Sequence, residues 1–360
     1  MNETVVDDLV ALLPPLLGTL DALTFVQRYL NPFEFAGVLQ AAGTPDNELR
    51  AARSKLDNWP DDFADVRATL IATCDNALAA FEGLRAVEEQ GDDFRSAYRA
   101  LRHVPRAMEA LYALAPRLPP VSAFFLDATT REDADLCARL EAAPKANTGV
   151  AHFDNEPGSR GGFSLYVPEY YTADRAWPLV VAMHGGSGNG RAFLWSWLRD
   201  ARSFGAIVIS PTATGNTWAL MGDDTDTPNL MRMLEFVRGN WNIDATRLLL
   251  TGMSDGGTFS YVSGLESSSP FTHLGPIAAS FHPMLAQMAD DARLRNLPIY
   301  LVHGKLDWMF PVEMARNADE ALTAAGARVT YREIEDLSHT YPREVNAAML
   351  RWLSGTTTAA

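Results

Sequence analysis

The chain has 360 residues, 47% of them hydrophobic and 21% charged, which is ordinary for a soluble globular protein of one large domain or two. A formal net charge of −15 and the lack of any Lys/Arg run argue against a nucleic-acid partner, because neutralising phosphates takes a basic face. Two cysteines, Cys74 and Cys137, are too few for a disulfide framework and are expected as reduced thiols.

The first apolar stretch is LVALLPPLLGTL (9–20). Glu3, Asp7 and Asp8 precede it and no Lys or Arg does, unlike a secretory leader. Pro14 and Pro15 interrupt it, so the expectation is a helix that stops and restarts, no membrane span, and a cytoplasmic protein. Helical spacing then recurs over 63–90, with Val66, Leu70, Ala77, Phe81 and Leu84 on one face. It recurs again over 94–118, with Ala97, Leu101, Val104, Met108, Leu111 and Leu114, where Pro105 starts a new helix or kinks the run. Residues 1–145 therefore read as an all-helical N-terminal domain.

From about residue 146 the texture changes. Strand candidates are 162–167, 178–183, 206–210, 247–251, 276–280, 298–303 and 328–334. Helix candidates lie between and after them at 190–204, 227–240, 255–265, 312–325 and 342–353. Such alternation predicts βαβ units, hence an α/β domain over 146–355 with a mostly parallel sheet flanked by helices. Several strands are nearly continuous apolar runs, as expected when both faces are covered. The tail 356–360 (TTTAA) is expected to be disordered. In open parallel sheets the functional crevice lies at the carboxyl ends of the strands, so chemistry is sought in the residues that follow each strand.

After RLLLT comes Gly252-Met253-Ser254-Asp255-Gly256, a G-x-S-x-G pattern between a strand and a helix. Glycines two residues on either side let the strand and helix converge around a serine held in a strained turn. After PLVVAM comes HGGSGNG (184–190), a glycine-rich loop without the Gly-Lys-Ser/Thr ending of a phosphate loop. Backbone N–H groups there suit a developing oxyanion; Gly186, with Gly185 as the alternative, and Asp255 beside the serine are the candidates. The Asp255 side chain is not needed for that role, and His184 reads as a structural pin of the loop. After PIYLVHG comes Asp307, a carboxylate able to orient an imidazole, although aspartates in such places also cap helices. After RVTYREI comes His339; of the seven histidines it alone lies in a post-strand loop downstream of that acid. Glu335 and Asp336 are weaker alternatives to Asp307, being too close to His339 along the chain.

Ser254, Asp307 and His339 follow the triad order of α/β-hydrolases, and residues 148–353 resemble that superfamily. HGGSGNG, the pair Asp223-Asp224 before NLMRMLEFV (229–237), and GMSDGG (252–257) are similar to the carboxylesterase/phospholipase group and to the polyhydroxybutyrate depolymerase and feruloyl esterase branch. The resemblance implies a serine hydrolase acting on carboxylic esters through an acyl-enzyme, with no metal or organic cofactor. It implies a small-molecule or acyl ester substrate, with Trp218, Trp308, Phe310, Phe281, His282 and Tyr341 as pocket candidates, each also explicable as packing. Asp224 can equally cap its helix. A thioesterase or peptidase of the same fold, and a silent hydrolase fold used for binding, are the competing readings. Only residues 281–297 separate the sixth strand candidate from the seventh, room for one helix and little more, so no lid is expected there. Two roles stay open for the N-terminal helices: a cap over Ser254, or a dimerisation or stabilising element.

Overall fold

The computed structural model describes residues 3–90, 94–142 and 146–355; the tail expected to be disordered, 356–360, lies outside the described residues. The chain divides into two compact units, residues 1–131 and 132–360.

The first unit is helical: α1 (Glu3–Tyr29), α2 (Phe35–Ala42), α3 (Asp46–Arg53), α4 (Ala64–Gln90), α5 (Arg95–Leu101), α6 (His103–Tyr112) and α7 (Pro119–Phe124). The expected stop and restart at Pro14-Pro15 does not occur, and α1 runs through both prolines. Each proline removes a helix hydrogen bond at a cost of about 3 kcal/mol or more. Burial of Leu12, Leu13, Leu16, Leu20, Leu23 and Val26 outweighs that local preference, and the Thr19 hydroxyl donates to the Pro15 carbonyl at 2.7 Å. By length and composition α1 could cross a membrane, yet its apolar stripe is part of this unit's core. The two spaced patterns behave as read: Leu70, Ala77, Phe81 and Leu84 of α4 and Val104, Met108 and Leu111 of α6 are buried. The chain breaks between α5 and α6 at Arg102, ahead of Pro105. A β-carbon on Gly83 would come within 2.7 Å of the Ala100 Cβ, so glycine sets the approach of α4 to α5. Asp46 is fully buried and accepts from Arg85 Nη1 at 2.7 Å, which ties α3 to α4 with a compensated charge.

The second unit begins with α8 (Ala134–Glu141) and builds one eight-stranded sheet: β1 (Gly149–Phe153), β2 (Phe163–Val167), β3 (Trp177–Met183), β4 (Ile207–Pro211), β5 (Ile243–Met253), β6 (His273–Ile277), β7 (Pro298–Gly304) and β8 (Arg328–Ile334). Spatial order is β1-β2-β4-β3-β5-β6-β7-β8; β2 is antiparallel to both of its neighbours, β1 and β4, and every other pairing is parallel. Every residue of β2, β3 and β4 is buried, which explains their unbroken apolar runs. The helices are α9 (Gly190–Phe193), α10 (Leu198–Phe204), α11 (Asp226–Asn240), α12 (Asp255–Gly264), α13 (Met284–Met288), α14 (Asp291–Leu294), α15 (Glu313–Ala324) and α16 (Asn346–Leu353). From β3 the chain steps to β4 on one side and then returns to β5 on the other, so the loops after β3 and β5 diverge and open a crevice between them.

Elements of this unit also differ from expectation. Strand β1, a short edge strand, was not anticipated. The strand expected at 276–280 lies at 273–277, because Ala278 adopts φ +46° and turns the chain out of the sheet. The expected helix 190–204 is broken between α9 and α10, where Leu194, Trp195 and Trp197 are buried. Between β6 and β7 lie only the short α13 and α14.

Backbone packs closely around the β5–α12 turn. A β-carbon on Gly256 would lie 2.5 Å from the His184 carbonyl oxygen, and one on Gly252 would lie 2.5 Å from the Gly256 carbonyl carbon. Gly256→Ala is therefore expected to cost roughly 1–3 kcal/mol in urea unfolding, the usual penalty of overpacking. Gly239→Ala on α11, where a β-carbon meets nothing within 4 Å, is expected to be neutral or to stabilise by up to about 1 kcal/mol. Equal effects at the two positions would refute the close-approach account.

Candidate active site

Ser254 sits between β5 and α12 with φ 56° and ψ −119°, a conformation that L-residues rarely adopt. Its own N–H is tied to the Ile277 carbonyl of β6 at 2.9 Å, and its carbonyl accepts from Thr258 N at 2.8 Å. The turn is thus held from both sides while the hydroxyl faces the strand ends. His339, in the loop after β8, brings Nε2 to 3.0 Å from Ser254 Oγ. The opposite nitrogen, Nδ1, donates to Asp307 Oδ2 at 2.8 Å. Asp307 Oδ1 accepts from Met309 N at 2.9 Å and Phe310 N at 2.8 Å, so one carboxylate oxygen ties the turn that follows and the other meets the imidazole. All three side chains are at least nine-tenths buried. Glu335 instead pairs with Lys305 on the surface. With Nδ1–H committed to the carboxylate, Nε2 carries the lone pair that faces the hydroxyl, which is the arrangement for taking its proton.

The loop after β3 lies against this turn. A β-carbon on Gly185 would touch the Ser254 Cβ at 3.5 Å, and one on Gly186 would come within 2.8 Å of Asp255 Oδ2. Asp255 is the first residue of α12, so its N–H is among those a helix leaves unpaired, at the positive end of the helix dipole. In the same loop Ser187 N is committed to the Asn216 carbonyl and Gly188 N to that of Gly185, which leaves the Gly185–Gly186 backbone nearest the serine.

A family model described as phospholipase/carboxylesterase matches residues 223–356. Acetylxylan esterase A of Emericella nidulans is 28% identical over 129 residues, covering 33% of this chain and 41% of the relative. Poly(3-hydroxyalkanoate) depolymerase C of Paucimonas lemoignei is 30% identical over 146 residues, covering 37% of this chain and 34% of the relative. The chain thus spans less than half the length of these two curated relatives. A solved ferulic acid esterase superposes with a TM-score of 0.50 at 14% identity, over 60% of this chain and 100% of its own. The second unit has the α/β-hydrolase fold. It resembles both branches named from its sequence motifs, the carboxylesterase/phospholipase group and the depolymerase and feruloyl esterase group.

Within the α/β-hydrolase unit, His184 is the loop's pin. Its Nδ1–H donates to the Gly185 carbonyl at 2.6 Å and its Nε2 accepts from Ala213 N at 3.1 Å. Those two bonds require the neutral imidazole, and burial pushes its pKa down to about 4. Trp218 is buried under the same loop; its indole N–H donates to the His184 carbonyl at 2.7 Å and its ring stacks on Phe259. It shapes the crevice from beneath. Phe310 meets the His339 ring edge-on at 5.3 Å between centroids. Trp308 and His282 are exposed on the loops after β7 and β6. Tyr341 hydrogen-bonds Asn346 and packs edge-on to Phe193, while Phe281 is buried against Tyr261. Asp224 caps α11, accepting from Asp226 N and Thr227 N.

Other residues that fix the crevice gave no local signal. Arg160, in a loop before β2, donates Nη1 to the Gly188 carbonyl at 2.7 Å and Nε to the Gly215 carbonyl at 2.6 Å, clamping the loops after β3 and β4 together. Asp226, almost fully buried, accepts from Thr214 N and Ala219 N, each at 2.8 Å. Thr217 donates to Asp255, joining that loop to the start of α12. These bonds link positions far apart in the chain, so no short motif encodes them. Among the described residues, no group of three His, Cys, Asp or Glu side chains is placed to hold a metal ion.

His184 has a consequence for stability. Its folded pKa lies below the unfolded value, so the unfolded chain binds more protons between about pH 6.5 and 4, and stability contributed above that window is lost as pH falls through it. His273, also pushed down to about 4 by burial, acts in the same direction. His184→Gln is expected to be less stable than the wild type at pH 7, with the gap narrowing toward pH 4 by on the order of 2–3 kcal/mol. Parallel stability curves in urea titrations from pH 7 to pH 4 would show that His184 is not the neutral pin.

Proposed function

We propose that the chain is a serine-dependent carboxylic-ester hydrolase. The observation that carries this reading is the unbroken line of contacts from Asp307 through His339 to the strained Ser254, at the foot of a glycine loop. The proton on Ser254 Oγ passes to His339 Nε2 as Oγ bonds the ester carbonyl carbon. Asp307 stabilises the imidazolium that forms. Negative charge on the carbonyl oxygen is received by backbone N–H groups of Asp255 and Gly186, with Gly185 as the alternative to the latter; being fixed, they need little reorganisation. The tetrahedral species collapses, the carbon–alkoxy bond breaks, and His339 protonates the departing alcohol. Water then repeats the sequence on the acyl-enzyme, releasing the acid and restoring Ser254. Relatives named for acetylxylan, feruloyl and polyhydroxyalkanoate esters support an oxygen ester as the bond cleaved, with the acyl group or its partner belonging to a larger molecule.

The test is hydrolysis of short p-nitrophenyl esters, with thioester and anilide analogues beside them. Ser254→Ala is expected to lower kcat by at least about 10³-fold with circular dichroism unchanged. Asp307→Asn is expected to lose about 10³–10⁴-fold, since the imidazole then sits in the wrong tautomer. A fluorophosphonate should label the wild type and spare Ser254→Ala. Faster turnover of thioester or anilide would move the assignment within the fold, and neither turnover nor label would sink it.

A further inference from the structure

His303 is the last side chain of β7 before Gly304 and is completely buried. Its Nε2 lies 2.9 Å from the Phe310 carbonyl and 3.4 Å from Asp307 Oδ2. A carbonyl only accepts, so Nε2 carries the hydrogen. Nδ1 has no hydrogen-bond partner. A proton there would be an unsatisfied buried cation, so the neutral ring with Nε2–H is the form the surroundings support. Burial accordingly holds the pKa of this imidazole below its ordinary value. The charged and titratable groups around it are Asp307, His339 of the loop after β8, and Glu333, its register partner on β8.

The loop that His303 closes is the one that shapes the acid of the site. Phe310 N and Met309 N hold Asp307 Oδ1, and the Phe310 carbonyl at the same corner is held by His303. Asp307 Oδ2 therefore faces two imidazoles, one 2.8 Å away on His339 and one 3.4 Å away on His303. If both could charge, they would compete for one carboxylate. A ring confined to its neutral form donates a hydrogen bond while leaving the negative charge to His339.

We infer that His303 is a positioning residue: a neutral buried donor that locks the 307–310 turn and aims the Asp307 carboxylate at His339. This rests on the ester-hydrolase reading for its effect on rate, but its effect on the Asp307–His339 bond is separately measurable. The test uses three variants of the full chain. His303→Leu removes the donor. His303→Asn keeps an amide but sets its nitrogen short of the Phe310 carbonyl. His303→Gln can place a nitrogen where Nε2 stood. One readout is kcat and KM on a p-nitrophenyl ester. The other is the low-field proton NMR resonance of the His339 Nδ1–H bonded to Asp307.

Leu and Asn are expected to lower kcat by about tenfold to 100-fold with KM little changed, the scale of a small misplacement of a catalytic group. Both should shift or lose the low-field resonance, and Gln should restore it together with most of the rate. If Leu fails to fold, the Asn and Gln pair decides. Folded Leu or Asn variants that keep both resonance and rate would overturn the inference, as would a Gln variant no better than Asn. A wild type that turns over no ester would defeat the hydrolase reading, while the resonance would still judge the role of His303.

Discussion

The second unit is organised around one constraint: a serine held at positive φ between a buried strand and a helix, which converge only because glycines stand two residues to either side. Ser254 takes φ 56° because its backbone is held by Ile277 on β6 and by the first turn of α12. Gly252 and Gly256 stand where any β-carbon would strike backbone at about 2.5 Å. These contacts bring the end of β5, the start of α12 and the loop after β3 into one place. Were that turn to relax, the unpaired N–H of Asp255 and the glycines at 185–186 would no longer share a cleft with the hydroxyl.

Around the turn, order comes from buried polar groups that reach across loops. His184, Trp218, Arg160 and Asp226 spend their hydrogen bonds on backbone atoms of the segments after β3 and β4. Loop backbone without sheet or helix partners must find others when water is excluded, and an unmet donor or acceptor costs about 1–3 kcal/mol. Here those obligations are met by side chains, so the loops bordering the crevice are fixed rather than merely covered. Preorganised groups of this kind are what electrostatic stabilisation of a transition state requires.

The histidines divide by environment. His184 and His303 are buried with bonding patterns that suit the neutral ring, and burial depresses both. His339 is also buried, but its Nδ1 is bonded to a carboxylate and its Nε2 to a hydroxyl, so its charged form has a partner waiting. One residue type thus serves as loop pin, proposed acid-positioner and proposed base within a single strand-end surface. The difference lies in what the second nitrogen meets.

Much of this was legible in the chain itself, wherever the signal is local. Short runs of β-favouring residues announced β2 to β5, β7 and β8, three-and-four spacing announced α4 and α6, and the glycines flanking Ser254 announced the turn, because each obeys a rule spanning only a few residues. Asp307 and His339 were found by position after strands, since parallel sheets gather those loops at one edge. What the tertiary structure decided is what depends on distant neighbours. Burial within the helical unit carried α1 straight through Pro14-Pro15, where local propensity predicted a break. Ala278 turned the chain out of β6 three residues early. The partners of Arg160, Asp226 and His303 are backbone carbonyls and N–H groups on separate loops or across a turn, which almost every residue carries. Sequence names side chains; which backbone atom each one meets is fixed only when the sheet brings its loops together.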